Sequence, residues 1–167
     1  VLLLTKPIGA GTVMAAEMAM QRLPQMLLGE AVAQTLAQMC LSNGPASALL
    51  APFAHAMTDV TGFGLAGHLL EILDASNLAA EVHADRIPLL KGAQELAALG
   101  IASSLAPANR AATIGRVSGA DSPLKALLYD PQTAGGLLAA LPRAAADALL
   151  PQLHALGYQA AIIGALT

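Results

Sequence analysis

The run from His55 to Glu71, HAMTDVTGFGLAGHLLE, puts a β-favouring segment, a carboxylate, two threonines, three glycines and an amphipathic helix start into one short stretch. Ala56 to Val60 suits a short buried strand, Thr61 or Gly62 can cap a helix entered after it, and Leu65, Leu69, Ile72 and Leu73 recur at helical spacing. The chain therefore turns at Gly62-Phe63-Gly64. A helix entered through glycines offers backbone N–H groups and a positive dipole end, which suits phosphate oxygens. Asp59 would repel a bare phosphate there, so a divalent cation between the two makes sense of it, because Mg²⁺ favours a few carboxylates together with phosphate oxygens. That makes Asp59 the candidate metal ligand and Thr61, Gly62 and Gly64 the candidate phosphate side.

Two other readings stand beside it. Asp59 can cap the helix or close an Asx turn. Gly62-x-Gly64-x-x-Gly67 also matches the dinucleotide fingerprint after a strand, with Glu81 about twenty residues on where that motif wants an acid. Against the dinucleotide reading, Thr58 and Asp59 stand where such a strand is normally apolar.

A wider set of segments carries a resemblance. Thr58-Asp-Val-Thr-Gly-Phe-Gly-Leu65 with Gly67-His-Leu69 resembles the C-terminal domain signature of selenophosphate synthetase (selenide, water dikinase). Leu4-Thr-Lys-Pro-Ile-Gly9, Ile87-Pro88 with Gly92-Ala93, Asn109, Asp130-Pro-Gln-Thr133 with Gly135-Gly-Leu137, and Ile163-Gly164 agree in order along essentially the whole chain. Two positions depart from the pattern: Ala10 stands in the usual Gly-Thr-Gly, and Ala134 replaces a serine. The resemblance implies one domain over residues 1–167, a three-layer α/β/α sandwich around a mixed sheet like the C-terminal domain of aminoimidazole ribonucleotide synthetase. It further implies a kinase using ATP, selenide and water to form selenophosphate, AMP and phosphate, cytoplasmic and homodimeric at full length, with Mg²⁺ held by aspartates. Asp59 matches the one metal ligand that this half contributes. No catalytic residue is expected within the chain, because the nucleophile-handling residues belong to an N-terminal domain, and the fragment alone is expected to be inactive. A non-catalytic structural module is the remaining alternative.

Composition narrows the classes. The 167 residues fit one domain with a proper core, rich in alanine and leucine and only 2% aromatic. A net charge of −3 gives no basic patch for nucleic acid. The stretch from Ala31 to Thr58 lacks Asp, Glu, Lys and Arg, but Gln34, Gln38, Asn43-Gly-Pro45 and Pro52 interrupt it, against a membrane span. The opening lacks an initiating methionine and a basic leader, so the chain reads as cut from something longer. Cys40, the one cysteine, reads as a buried structural thiol in a reducing compartment.

In order, the chain predicts a strand over Val1 to Thr5 and helices over Val13 to Leu23, from Pro24 to about Leu41, and just after Pro45. Beyond the central stretch come a strand over Ala79 to Ala84, a helix from Pro88 to Leu99, a loop over Ile101 to Thr113 and a strand near Arg116-Val117. A strand over Gly136 to Leu141, a helix from Arg143 to Leu156 and a strand from Ala160 to Leu166 close the domain. Lys6 reads equally as phosphate-facing or as a solvated loop lysine. His83 reads as a solvent-facing strand histidine, with a metal pair to Asp85 as the lesser option. Asp130 and Thr133 read as part of a strand-initiating turn, with a phosphate role as the alternative.

Overall fold

Leu2, Leu3 and Leu4 are fully buried, which an apolar strand achieves only at the middle of a covered sheet. In the computed structural model, which describes residues 1–19 and 28–167, that strand, β1 (Leu2–Leu4), is the central member of five. The others are β2 (Ala56–Asp59), β3 (Ala80–Val82), β4 (Leu137–Ala140) and β5 (Ala161–Leu166), in spatial order β2-β4-β1-β5-β3. Leu3 faces Ala139 on one side and Ile162 on the other, and Asp59 lies opposite Leu137 at the β2 edge.

Side-chain alternation divides the core in two. Leu2, Leu4, Leu138 and Ala140 pack with Val13, Leu65, Leu69 and Leu96, from helices α1 (Ala10–Met18), α4 (Gly64–Ser76) and α5 (Ala93–Ala98). Leu3, Leu137 and Ala139 pack on the opposite face with Leu50, Leu149 and Leu153, from α3 (Gly44–Leu50) and α8 (Arg143–Ala155). The remaining helices are α2 (Leu28–Cys40), α6 (Ala106–Ala112) and α7 (Pro123–Leu127). The result is the expected α/β/α layering. No helix among the described residues is long and apolar enough to cross a membrane.

Several expectations are corrected. The sheet is antiparallel at every strand pair rather than mixed, and the one parallel bridge among the described residues, between Ile8 and Leu89, lies outside those strands. That bridge holds Pro88 and Leu89 extended, so the helix expected from Pro88 starts only at Ala93, after Gly92 at φ +78°. The segment read as a loop carries α6, opened by Pro107 in its first turn. No strand forms at Arg116-Val117, where the chain turns toward α7. β2 is a half-exposed edge strand rather than a buried one. Cys40 is exposed at the last residue of α2, whose inward face is Ala31 and Thr35. His83 lies just past β3 and starts a single 3-10 turn. The expected start at Pro24 falls outside the described residues.

Candidate functional site

β2 ends at Asp59, whose side chain is exposed. Asp59 lines an open recess with Thr58, Ser47 and Asn43 at the edge of the sheet. Asn43 donates from Nδ2 to the Gly135 carbonyl at 2.8 Å, while its buried Oδ1 meets no donor among the described residues. The recess thus brings a carboxylate together with the hydroxyl-bearing residues Thr58 and Ser47, oxygen donors of the kind that a hard divalent cation prefers. Asp59 is the one carboxylate among the residues lining the recess, and among the described residues no three His, Cys, Asp or Glu side chains converge.

The turn after Asp59 is tied down from behind. Gln132 N donates to the Thr61 carbonyl at 2.9 Å, and Asn109 Nδ2 donates to the carbonyls of Gly62 and Tyr129 at 2.8 and 3.0 Å. Neither Thr61 nor Gly62 caps α4; its first helical residue follows Phe63, and no side chain caps it. Part of the expected anion site is already spent, since Gly64 N donates to the Thr61 carbonyl and Ala66 N to that of Leu128. Gly64 is buried at φ +72°, and a Cβ there would sit 2.7 Å from the Leu128 oxygen. Its place is that of a close-approach glycine. Gly62 is exposed and Thr61 half-buried, on the solvent side of the turn.

The second loop is interior. Asp130 is 1% exposed, accepting from Thr12 Oγ1 at 2.8 Å and from Gln132 Nε2 at 3.1 Å, and burial pushes its carboxyl up from the ordinary value. Gln132 Oε1 accepts from the N–H groups of Gly9 and Ala10 at 3.0 and 3.1 Å, so a side chain from this loop caps α1. Asp130 therefore supports a turn, while Thr133 is exposed beside it. Lys6 follows neither expectation. It is 2% exposed, with Nζ donating to the carbonyls of Leu41 and Ala134 at 2.5 and 3.0 Å, and burial pushes its ammonium down.

The dinucleotide reading fails on topology. β2 and β3, which flank α4, lie at opposite edges of the sheet with three strands between them, so they are not the adjacent parallel pair of a dinucleotide-binding βαβ unit. A second, more apolar cleft of about 440 Å³ runs between α4, β3 and the segment from Arg116 to Lys125, and none of Asp59, Thr61, Gly62 or Gly64 lines it.

Comparison with known proteins settles the family. The model of the AIR synthase related protein C-terminal domain matches residues 1–167. The chain belongs to that family. Within it, the chain is 40% identical over 169 residues to selenide, water dikinase of Burkholderia ambifaria (strain MC40-6), covering 98% of this chain and 46% of that protein. It is 36% identical over 148 residues to selenide, water dikinase of Trichlorobacter lovleyi, covering 87% and 41%. The AIR synthase-related chain thus spans about half the length of the curated relatives it matches. Thiamine-monophosphate kinase from Stenotrophomonas maltophilia K279a shares the fold at a TM-score of 0.65 and 21% identity, over 99% of this chain and 46% of that one. E. coli HypE, a hydrogenase maturation protein, does so at 0.67 and 21%, over 99% and 43%.

Sequence reasoning passed over the side chains that pack behind the Thr61 turn. His68, 7% exposed on α4, places Nε2 3.1 Å from Thr61 Oγ1 and Nδ1 3.0 Å from Glu71 Oε2, with the Phe63 ring beside it at 5.5 Å. The signal was present in the spacing. His68 and Glu71 are three apart, so they share a helix face, and His68 lies one turn in from the helix start where it can reach back to Thr61.

Proposed function

We propose that this chain is the nucleotide-contacting C-terminal half of a selenide, water dikinase, which converts ATP, selenide and water into selenophosphate, AMP and phosphate. The observation that carries the reading is Asp59, an exposed carboxylate at the end of an edge strand, in a recess of oxygen donors beside a glycine turn. It is supported by the relatives named selenide, water dikinase and by the same fold in a hydrogenase maturation protein HypE in complex with ATP, at a TM-score of 0.58 and 19% identity. Asp59 is the metal ligand this half supplies. Thr61 and Gly62 form the phosphate side, and Gly64 shapes the turn that presents them. Mg²⁺, when bound, would neutralise charge on the phosphates.

The full-length enzyme is read as a cytoplasmic homodimer whose other half brings the remaining carboxylates and the group that handles selenide. The isolated chain is inactive on this reading, since its recess offers a single carboxylate. The test is selenide-dependent AMP formation by the full-length protein. Asp59→Asn is expected to lower it about a hundredfold with the fold unchanged, and full retained activity would remove the metal role.

A further inference from the structure

The hydrogen-bonded series Thr61–His68–Glu71 has a direction imposed by its chemistry. A glutamate carboxylate only accepts, so in the neutral imidazole Nδ1 must carry the proton given to Glu71 Oε2 at 3.0 Å. Nε2 is then a bare acceptor, and the contact at 3.1 Å is Thr61 Oγ1 donating to it. With its proton committed to the ring, the Thr61 hydroxyl has only lone pairs left for a ligand. The ring is held in place on three sides, by Glu71, by Thr61 and by the tilted Phe63 ring, and at 7% exposure it has little room to turn.

We propose that His68 and Glu71 are positioning residues that fix the Thr61 hydroxyl as a hydrogen-bond acceptor, so that Thr61 meets an O–H or N–H donor on the bound ligand and not a bare phosphate oxygen. This rests on the reading of the turn after Asp59 as the phosphate side and refines it, leaving the phosphate oxygens to the rest of that turn and giving the Thr61 hydroxyl a donor beside them. A hydroxyl that only accepts is poorly matched to a phosphate oxygen and well matched to the water shell of a bound cation, or to a ligand hydroxyl. Glu71, on the exposed side of α4, sets the ring tautomer without touching the ligand.

The experiment uses the full-length protein with nitrogen-15 histidine under mildly alkaline conditions, the His68 signal being assigned by its loss in His68→Gln. The expected result is a neutral ring protonated at Nδ1, and a shift of that population toward Nε2–H in Glu71→Ala. Affinity for the magnesium complex of a non-hydrolysable ATP analogue is measured in parallel. Thr61→Val and Glu71→Ala are each expected to weaken it about tenfold, and the double variant to be no weaker than Thr61→Val alone within about twofold. Thr61→Ser is expected to bind within about twofold of the wild type, because it keeps the hydroxyl. A wild-type ring protonated at Nε2, multiplying losses in the double variant, or a Thr61→Ser protein as weak as Thr61→Val would each overturn the proposal. The tautomer is read on the fold whatever the reaction is, whereas absence of selenide-dependent AMP formation in the wild-type enzyme would count against the dikinase reading alone.

Discussion

Two loops of this domain are built from the same ingredients, an aspartate followed within a few residues by threonine and glycines, yet they have opposite fates. The loop after Asp59 leaves its carboxylate in solvent at an edge strand; the loop after Asp130 draws its carboxylate inside, onto the Thr12 hydroxyl and the Gln132 amide. The loops touch each other, through Gln132 N on the Thr61 carbonyl, Val60 N on the Gly136 carbonyl at 2.8 Å, and Asn109 bridging both. The inner loop is the footing on which the outer loop stands. An aspartate becomes structural where neighbouring side chains donate to it and stays available for a ligand where none does.

Substitutions in pairs sharpen that contrast. The largest difference is expected between glycines. A Cβ on Gly135 would lie 2.1 Å from the Val60 oxygen, whereas one on Gly62 meets nothing within 4 Å. Gly135→Ala should cost about 3 kcal/mol in a urea titration and Gly62→Ala well under about 1 kcal/mol. Next come the carboxylates. Asp130→Ala leaves the Thr12 hydroxyl and one contact of Gln132 without an acceptor and should cost about 2 kcal/mol, whereas Asp59→Ala should stay within about 0.5 kcal/mol of the wild type. Asn109→Ala, which cuts the bridge between the loops, should cost about 1 kcal/mol. Equal costs for the two aspartates would break the comparison.

The smallest effect is a pH dependence. Burial raises the Asp130 carboxyl in the folded protein, so the folded state holds that proton more tightly than the unfolded chain. This contribution to stability is fully present below the ordinary carboxylate value. It is lost as pH climbs from there through the raised folded value. Unfolding midpoints measured across that window should fall with rising pH in the wild type and fall less in Asp130→Asn.

Much of this was legible in the sequence because local rules and tertiary packing agree. The strand at Leu2–Leu4, the amphipathic α4, and α8 with its stop at Gly157, φ +88°, all follow from periodicity and glycine placement. The antiparallel sheet was not legible, because strand direction depends on how distant segments return to one another. Cys40 illustrates the limit of composition. Its alanine- and methionine-rich surroundings suggest burial, but the inward face of α2 is set by Ala31 and Thr35, and Cys40 lies off it. Lys6 is the reverse case, a charged residue drawn inside by two carbonyls, those of Leu41 and Ala134, that lie far from it in sequence. The strand ending at Asp59 and the glycine turn that follows it were readable from residue type alone. The roles of Asn109 and Gln132 were not, since their partners at Gly62, Gly9 and Ala10 lie far away in sequence, whereas the local spacing of His68 and Glu71 was there to be read.

The central claim is that the open aspartate, and not the buried one, serves the ligand. The most direct measurement is a magnesium titration of nucleotide binding by the full-length protein, comparing Asp59→Asn with Asp130→Asn at matched folded fractions. The account predicts that Asp59→Asn raises the magnesium concentration needed for half-saturation about tenfold or more while Asp130→Asn leaves it unchanged. An unchanged magnesium requirement in Asp59→Asn would contradict it.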